Sequence, residues 1–292
     1  MCMLGDRPME PNATTGPLGQ QTCMVIEAHA DDASHWCGGQ MIKWAEQGHR
    51  VILVRATNDE NDSIGLTREQ TMQVNAEQLH EAAAILGVAD VVDLGFSAER
   101  LTDSTRIPLR EALVHLYRKY RPYRTLTFDP YSVLFENNQD HLHVGRASDE
   151  ASWMAMCDKY VPDDLEAGLA LHGVFERWYF GRQLPEVTDW TDISDVVEKK
   201  IDATTAHRAM LRNTLLQLEL MSSTAGISIP LVQRAAHNDL RAFVEYLVKS
   251  TDAAAGARHG CAYAEEFRII TFAASPGPLL DLLPREGGQR VG

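Results

Sequence analysis

Apolar and polar residues alternate in blocks along the first half of this chain, and the block lengths separate strands from helices. The segment "TCMVIEA" (22–28) is short, apolar and β-branched, the pattern of a buried strand. A helix is expected after the acidic residues that follow, running to Gln47 and stopped by Gly48. "RVILVRAT" (50–57) reads as the next strand and "NDENDSIG" (58–65) as a polar loop. "TREQ" (67–70) has capping-box form, with Thr67 as N-cap and Gln70 reaching back. The helix it opens carries Leu79, Ala83 and Leu86 and stops at Gly87, and "DVVDLGF" (90–96) is a third strand. Pro108 suits the first turn of a further helix that ends before Pro122. "RTLTFDP" (124–130) is a fourth strand, running into a loop that ends "ENNQDHLHVGR" (136–146).

This alternation predicts βαβ units, hence an α/β fold with a mostly parallel sheet and helices on both faces. In such sheets ligands sit beyond the carboxyl ends of the strands. The first and fourth strands both deliver acidic, histidine-bearing segments there. Past residue 175 the pattern changes: "VFERWYF" (174–180) looks like a strand, helical segments follow at 194–220 and 229–250, then "AYAEEFRIITF" (262–272). No internal repeat or low-complexity linker divides the chain. The expected organisation is a flexible leader (1–20), one domain (21–275) made of a core (21–180) and a C-terminal extension (181–275), and a loose tail (276–292).

A net charge of −14 over 292 residues argues against nucleic acid or an anionic membrane as partner. No apolar run is long enough to span a bilayer, and the N-terminal stretch lacks the apolar centre of a signal peptide. The basic stretch "YRKYRPYR" (117–124) reads as a solvated helix end. Five cysteines without Cys-x-x-Cys spacing read as free thiols of a cytoplasmic protein, with Cys37 a small core residue.

The chemistry concentrates in "VIEAHADDASHWCGG" (25–39), where an apolar strand ends in His29, Asp31 and Asp32. Imidazole and carboxylates at the edge of a core are costly unless they bind something. His141, after the fourth strand, falls at the same end of the expected sheet. Two imidazoles and one carboxylate make a catalytic zinc set with a position left for water. Asp31 would then serve as general base. The plainer reading of the same residues is a capping loop, with Asp31 or Asp32 as N-cap and His29 in the core.

Here the sequence resembles a known family. "AHADDASHWCGG" is similar to the His-Pro-Asp-Asp…Gly-Gly segment of the PIG-L/LmbE-like zinc-dependent N-deacetylases. "QGHRVILVRATNDE", "EAAAILGVADVVDLGF", "FDP…ENNQDHLHVGR" and "DISDVVEKKIDATTAHRAM" (192–210) resemble its later segments in the same order. The resemblance implies a Rossmann-like sheet and hydrolysis of an N-acyl group, usually acetyl, on a small amino-sugar-like or sugar-conjugate substrate, a linear amide. It also implies Zn2+ held by His29, Asp32 and His141, with Asp31 as base.

The chain departs from the family pattern at several positions. Ala30 replaces the proline of His-Pro-Asp-Asp, and Asn138 stands where a histidine thought to stabilise the oxyanion or assist the leaving amine is expected. Asn138 can donate an N–H but gives up no proton at neutral pH, so His143 and His35 become candidates for proton transfer. Where the sugar docks in the family, Val74 and Ala98 stand in place of a cation and an acid, with Glu99 next and Arg68 either a replacement cation or a surface helix residue. His207 in "TTAHRAM" matches a family histidine that reaches the substrate side. Two competing readings are a noncatalytic metal- or ligand-binding member of the same fold and a nucleotide-binding protein. The latter is weak, because "CGG" is not a Gly-x-Gly-x-x-Gly loop and Asp31 and Asp32 would repel a pyrophosphate.

Overall fold

Strand β1 (Thr22–Glu27) lies at the middle of a seven-stranded sheet in the computed structural model, which describes residues 19–237 and 239–271. The expected tail, and all but the last two residues of the expected leader, fall outside the described residues. Helix α1 (Asp32–Glu46) follows β1, then β2 (Arg50–Thr57), α2 (Arg68–Leu86), β3 (Asp90–Phe96), α3 (Asp103–Tyr120), β4 (Arg124–Phe128) and α4 (Gln139–Met154). A short α5 (Pro162–Glu166) leads to β5 (Glu176–Phe180) and β6 (Asp189–Asp192). The extension continues with α6 (Val197–Ala206), α7 (Arg208–Thr224), α8 (Pro230–His237), α9 (Leu240–His259) and β7 (Ala264–Thr271).

The sheet order is β3-β2-β1-β4-β5-β7-β6. All pairs from β3 to β5 are parallel, and β7 pairs antiparallel with both β5 and β6. Strand order therefore reverses between β1 and β4, the place where α/β sheets open a crevice for ligands. β1 is buried along almost its whole length, and its run Cys23–Ile26 joins β2 and Leu126 in the main core. The described residues contain no helix long and apolar enough to cross a membrane.

Local chemistry explains the element ends. Thr67 accepts from Gln70 N, Gln70 Oε1 accepts from Thr67 N, and Gly87 closes α2 at φ 76°. α3 begins at Asp103, so Pro108 lies in its second turn rather than its first. His141 belongs to the first turn of α4, not to a loop, because Asn138 caps that helix by accepting from Asp140 N at 3.0 Å. The helical stretch expected at 194–220 is two helices broken at His207, and β6 is a strand that no apolar pattern signals.

The basic stretch 117–124 is also not a solvated helix end throughout. Arg118 is 1 % exposed. It donates to the carbonyls of Ala155, Cys157, Tyr160 and Val161 and pairs with Asp164 at 3.2 Å. Its planar fork satisfies the carbonyls that follow α4, which a lysine could not do.

Candidate metal centre and active site

His29 and Asp32 leave the carboxyl end of β1 within one turn of each other, and Asp32 Oδ2 accepts from His29 N at 2.8 Å. That bond folds the segment so that the side chains of both face the switch point. His141 reaches the same point from α4, its ring stacked on Phe128 at 3.9 Å. One donor atom from each of His29, Asp32 and His141 lies within 4.8 Å of the others. Asp32 bridges the pair, with Oδ2 3.5 Å from His29 Nδ1 and Oδ1 3.3 Å from His141 Nε2. All three residues are buried, at 4–6 % exposure.

Each imidazole has a carboxylate behind it. Glu136 Oε2 is 2.9 Å from His141 Nδ1 and Asp140 Oδ2 is 3.6 Å from His29 Nε2. A carboxylate behind the far nitrogen orients a ligating histidine and raises its basicity. Asp140 is itself held by the backbone N–H groups of Glu99 and Leu101. Neither Glu136 nor Asp140 was singled out in the sequence, although both precede His141 within five positions.

The electrostatics suit a cation. Burial works against charge on His141, but the carboxylates of Asp32 and Glu136 outweigh it and raise its pKa to about 9. His29 is raised in the same way against burial by Asp140 and Asp32. Burial would raise Asp32, yet His141 and His29 hold it well below the usual carboxylate range. His29 Nε2, on the far side of the ring, makes no hydrogen bond, its nearest carboxylate being Asp140 at 3.6 Å. Two imidazoles and a carboxylate arranged to stabilise positive charge at their centre are a fitting donor set for a divalent metal.

The centre forms part of a cavity of about 490 Å³ whose wall includes Asp31, His35, Trp36, Asp62, Glu99 and Asn138. Burial first, then the neighbouring Asp32, pushes the Asp31 carboxyl up to about 7. Burial also pushes Asp62 up to about 8. Asp62 and Glu99 form a second group of metal-type donors with His29. His35 on the wall is kept neutral, its pKa lowered to about 4 by burial and then by Lys200.

Three residues singled out in the sequence are not on this wall. Arg68 is exposed at the start of α2. His143 lies two residues beyond His141, turned roughly 200° around the helix from it, and does not line the cavity. His207 is fully buried at the α6–α7 break, its Nε2 2.9 Å from Ser34 Oγ in the first turn of α1. It supports the helix that carries Asp32 and does not reach the cavity.

A buried His-Asp-His cluster of metal-type donors at the switch point of a largely parallel sheet defines an α/β protein with a candidate metal centre. Residues 24–152 match the model of the PIG-L family, described as GlcNAc-PI de-N-acetylase. It is 27 % identical over 282 residues to a 1D-myo-inositol 2-acetamido-2-deoxy-alpha-D-glucopyranoside deacetylase of Streptomyces scabiei, covering 78 % of this chain and 85 % of that protein. It is 26 % identical over 200 residues to a 4-oxalmesaconate hydratase of Pseudomonas putida, covering 63 % and 72 %. Its fold is similar to that of the N,N'-diacetylchitobiose deacetylase from Pyrococcus horikoshii, with a TM-score of 0.68, 22 % identity and coverage of 90 % and 88 %.

Proposed function

We propose that this chain is a zinc-dependent hydrolase that removes an N-acyl group, of which acetyl is the first to test, from an amino-sugar-like or sugar-conjugate small molecule. The observation that carries the reading is the convergence of His29, Asp32 and His141 in one cavity with Asp31 beside them. Bound zinc would supply Lewis-acid polarisation of the amide carbonyl and a water of lowered pKa. Asp31, beside the donor cluster, would take a proton from water and return it to the departing amine. Asn138 commits Oδ1 to the α4 cap, which leaves its Nδ2 amide N–H groups as donors for the developing oxyanion. Glu136 and Asp140 would hold the two imidazoles in orientation.

A second reading has its own support, because one relative is named a hydratase and Asn138 offers no proton. Addition of water to a carbon–carbon double bond needs the same base and no departing amine. The first test is elemental mass spectrometry on the purified protein and on His141→Ala. About one zinc per chain, lost in the variant, is expected. No metal after zinc is supplied would overturn the reading and leave a noncatalytic member of the fold. A screen for amine release from N-acylated sugars, run beside loss of ultraviolet absorbance from conjugated unsaturated acids, then separates hydrolysis from hydration.

A further inference from the structure

The metal cavity does not end at Trp36. A second cavity of about 330 Å³, between the end of β5 and α9, shares His35, Trp36, Arg182 and Thr251 with it. The two spaces therefore meet along one wall, and Arg182 stands in that wall. Its Nε lies 3.2 Å from Glu136 Oε2, the oxygen that also meets His141. Its guanidinium carbon lies 5.8 Å from the centre of the Trp36 ring, which is stacked in turn on Phe180.

The guanidinium is thus oriented by two neighbours. Neither of its Nη groups makes a hydrogen bond or ion pair with the described residues. The other cations around the second cavity are already engaged by carboxylates. Asp252 and Glu265 each meet Lys200 at 2.8 Å, and Arg258 meets Glu266 at 2.7 Å. The outer fork of Arg182 is the charge left for a ligand. A planar pair of N–H donors held in place is matched by an anion presenting two oxygens.

We propose that the second cavity receives a carboxylate- or phosphate-bearing arm of the substrate, bound by the Nη groups of Arg182, while the amide occupies the metal cavity. The amide half rests on the hydrolase reading, and the anion half stands without it. Sharing Glu136 with His141 also ties the arm's anchor to the metal ligand.

The test is calorimetric titration of the zinc-loaded full chain with N-acetylglucosamine 6-phosphate, N-acetylmuramic acid and neutral N-acetylglucosamine. Wild type, Arg182→Met and Arg182→Lys are compared. At least one anionic ligand should bind wild type about tenfold or more tighter than the neutral one, and which one identifies the anion. Arg182→Met should erase that ratio, and Arg182→Lys should keep part of a phosphate preference but less of a carboxylate one. A role confined to steadying Glu136 would weaken all ligands together and leave the ratio intact, which overturns the proposal. Equal affinities or no binding in wild type overturn it as well. Amine release, followed in parallel, decides the hydrolase reading separately. An anion preference without amine release removes that reading and keeps the subsite.

Discussion

Asn138 carries two tasks with one amide group. Its Oδ1 caps α4, the helix that presents His141, while its side chain also lines the metal cavity. Asn138→Asp separates the two, since a carboxylate still caps but brings negative charge where an oxyanion would develop. The cap is worth about 1 kcal/mol, so urea unfolding should shift by less than about half of that. The kcat for amine release should fall by about 10²–10³, the cost of one oxyanion donor. An unchanged kcat would remove Asn138 from the chemistry. At this scale the sequence was readable wherever a function sits in a local cluster. His29, Asp31 and Asp32 fall within four positions at a strand end, and His141 follows from motif order. Asp140 is adjacent in sequence to His141 and Glu136 lies five residues before it, but their part depends on how the chain winds into the first turn of α4. Arg182 lies 46 residues beyond Glu136 and meets it only through the sheet. Arg118 misled in the opposite direction, because a basic stretch shows charge and not the carbonyls waiting to pair with it.

The placement of His141 in the candidate metal centre depends on how closely α4 lies on β4. A Cβ on Gly145 would stand 2.4 Å from Phe128 O and 3.2 Å from Pro130 N, so the helix touches the strand backbone at that point. His141 is one turn earlier on the same helix and stacks on the Phe128 ring. Gly145→Ala must push the helix outward and carry His141 with it. We expect a loss of about 1–3 kcal/mol, the range for overpacking a tight core, together with weaker zinc retention against a chelator. Wild-type stability and retention in the variant would show that the contact is slack. The first four strands, three of them buried and all carrying β-branched residues, were legible from their apolar runs. α4 was not, because its opening, "QDHLHVGR", is polar and charged in the service of the site. β6 was missed for a different reason: "DWTD" is a four-residue edge strand, largely exposed, that exists only because β7 pairs with it.

The extension is tied to the site helix through charge buried far along the chain. Lys200 of α6 is fully buried between Asp252 of α9 and Glu265 of β7. Glu265 also accepts from the N–H groups of Gly39 and Gln40, just after α1 loses helical geometry at Cys37. No local pattern announces that these segments meet, which is why the second cavity and Arg182 were invisible before the fold was known. Solvent exclusion at this scale also sets the molecule's response to acid. His172, 2 % exposed between α5 and β5, places Nε2 2.8 Å from Pro122 O, and its buried Nδ1 makes no hydrogen bond. Burial therefore lowers its pKa from 6.5 to about 4. The unfolded chain takes up this proton first as pH falls, so the contribution of a neutral His172 is fully present above pH 6.5 and is lost on the way down through 4. The interval corresponds to roughly 3 kcal/mol. His172→Gln keeps a neutral donor for Pro122 and removes the titration. Unfolding free energies of both proteins at pH 7, 6, 5 and 4 should diverge, with wild type losing about that much more than the variant toward pH 4. The difference cancels every other titrating group common to the two chains, so parallel curves would mean that His172 accepts its proton in the folded state as readily as in water.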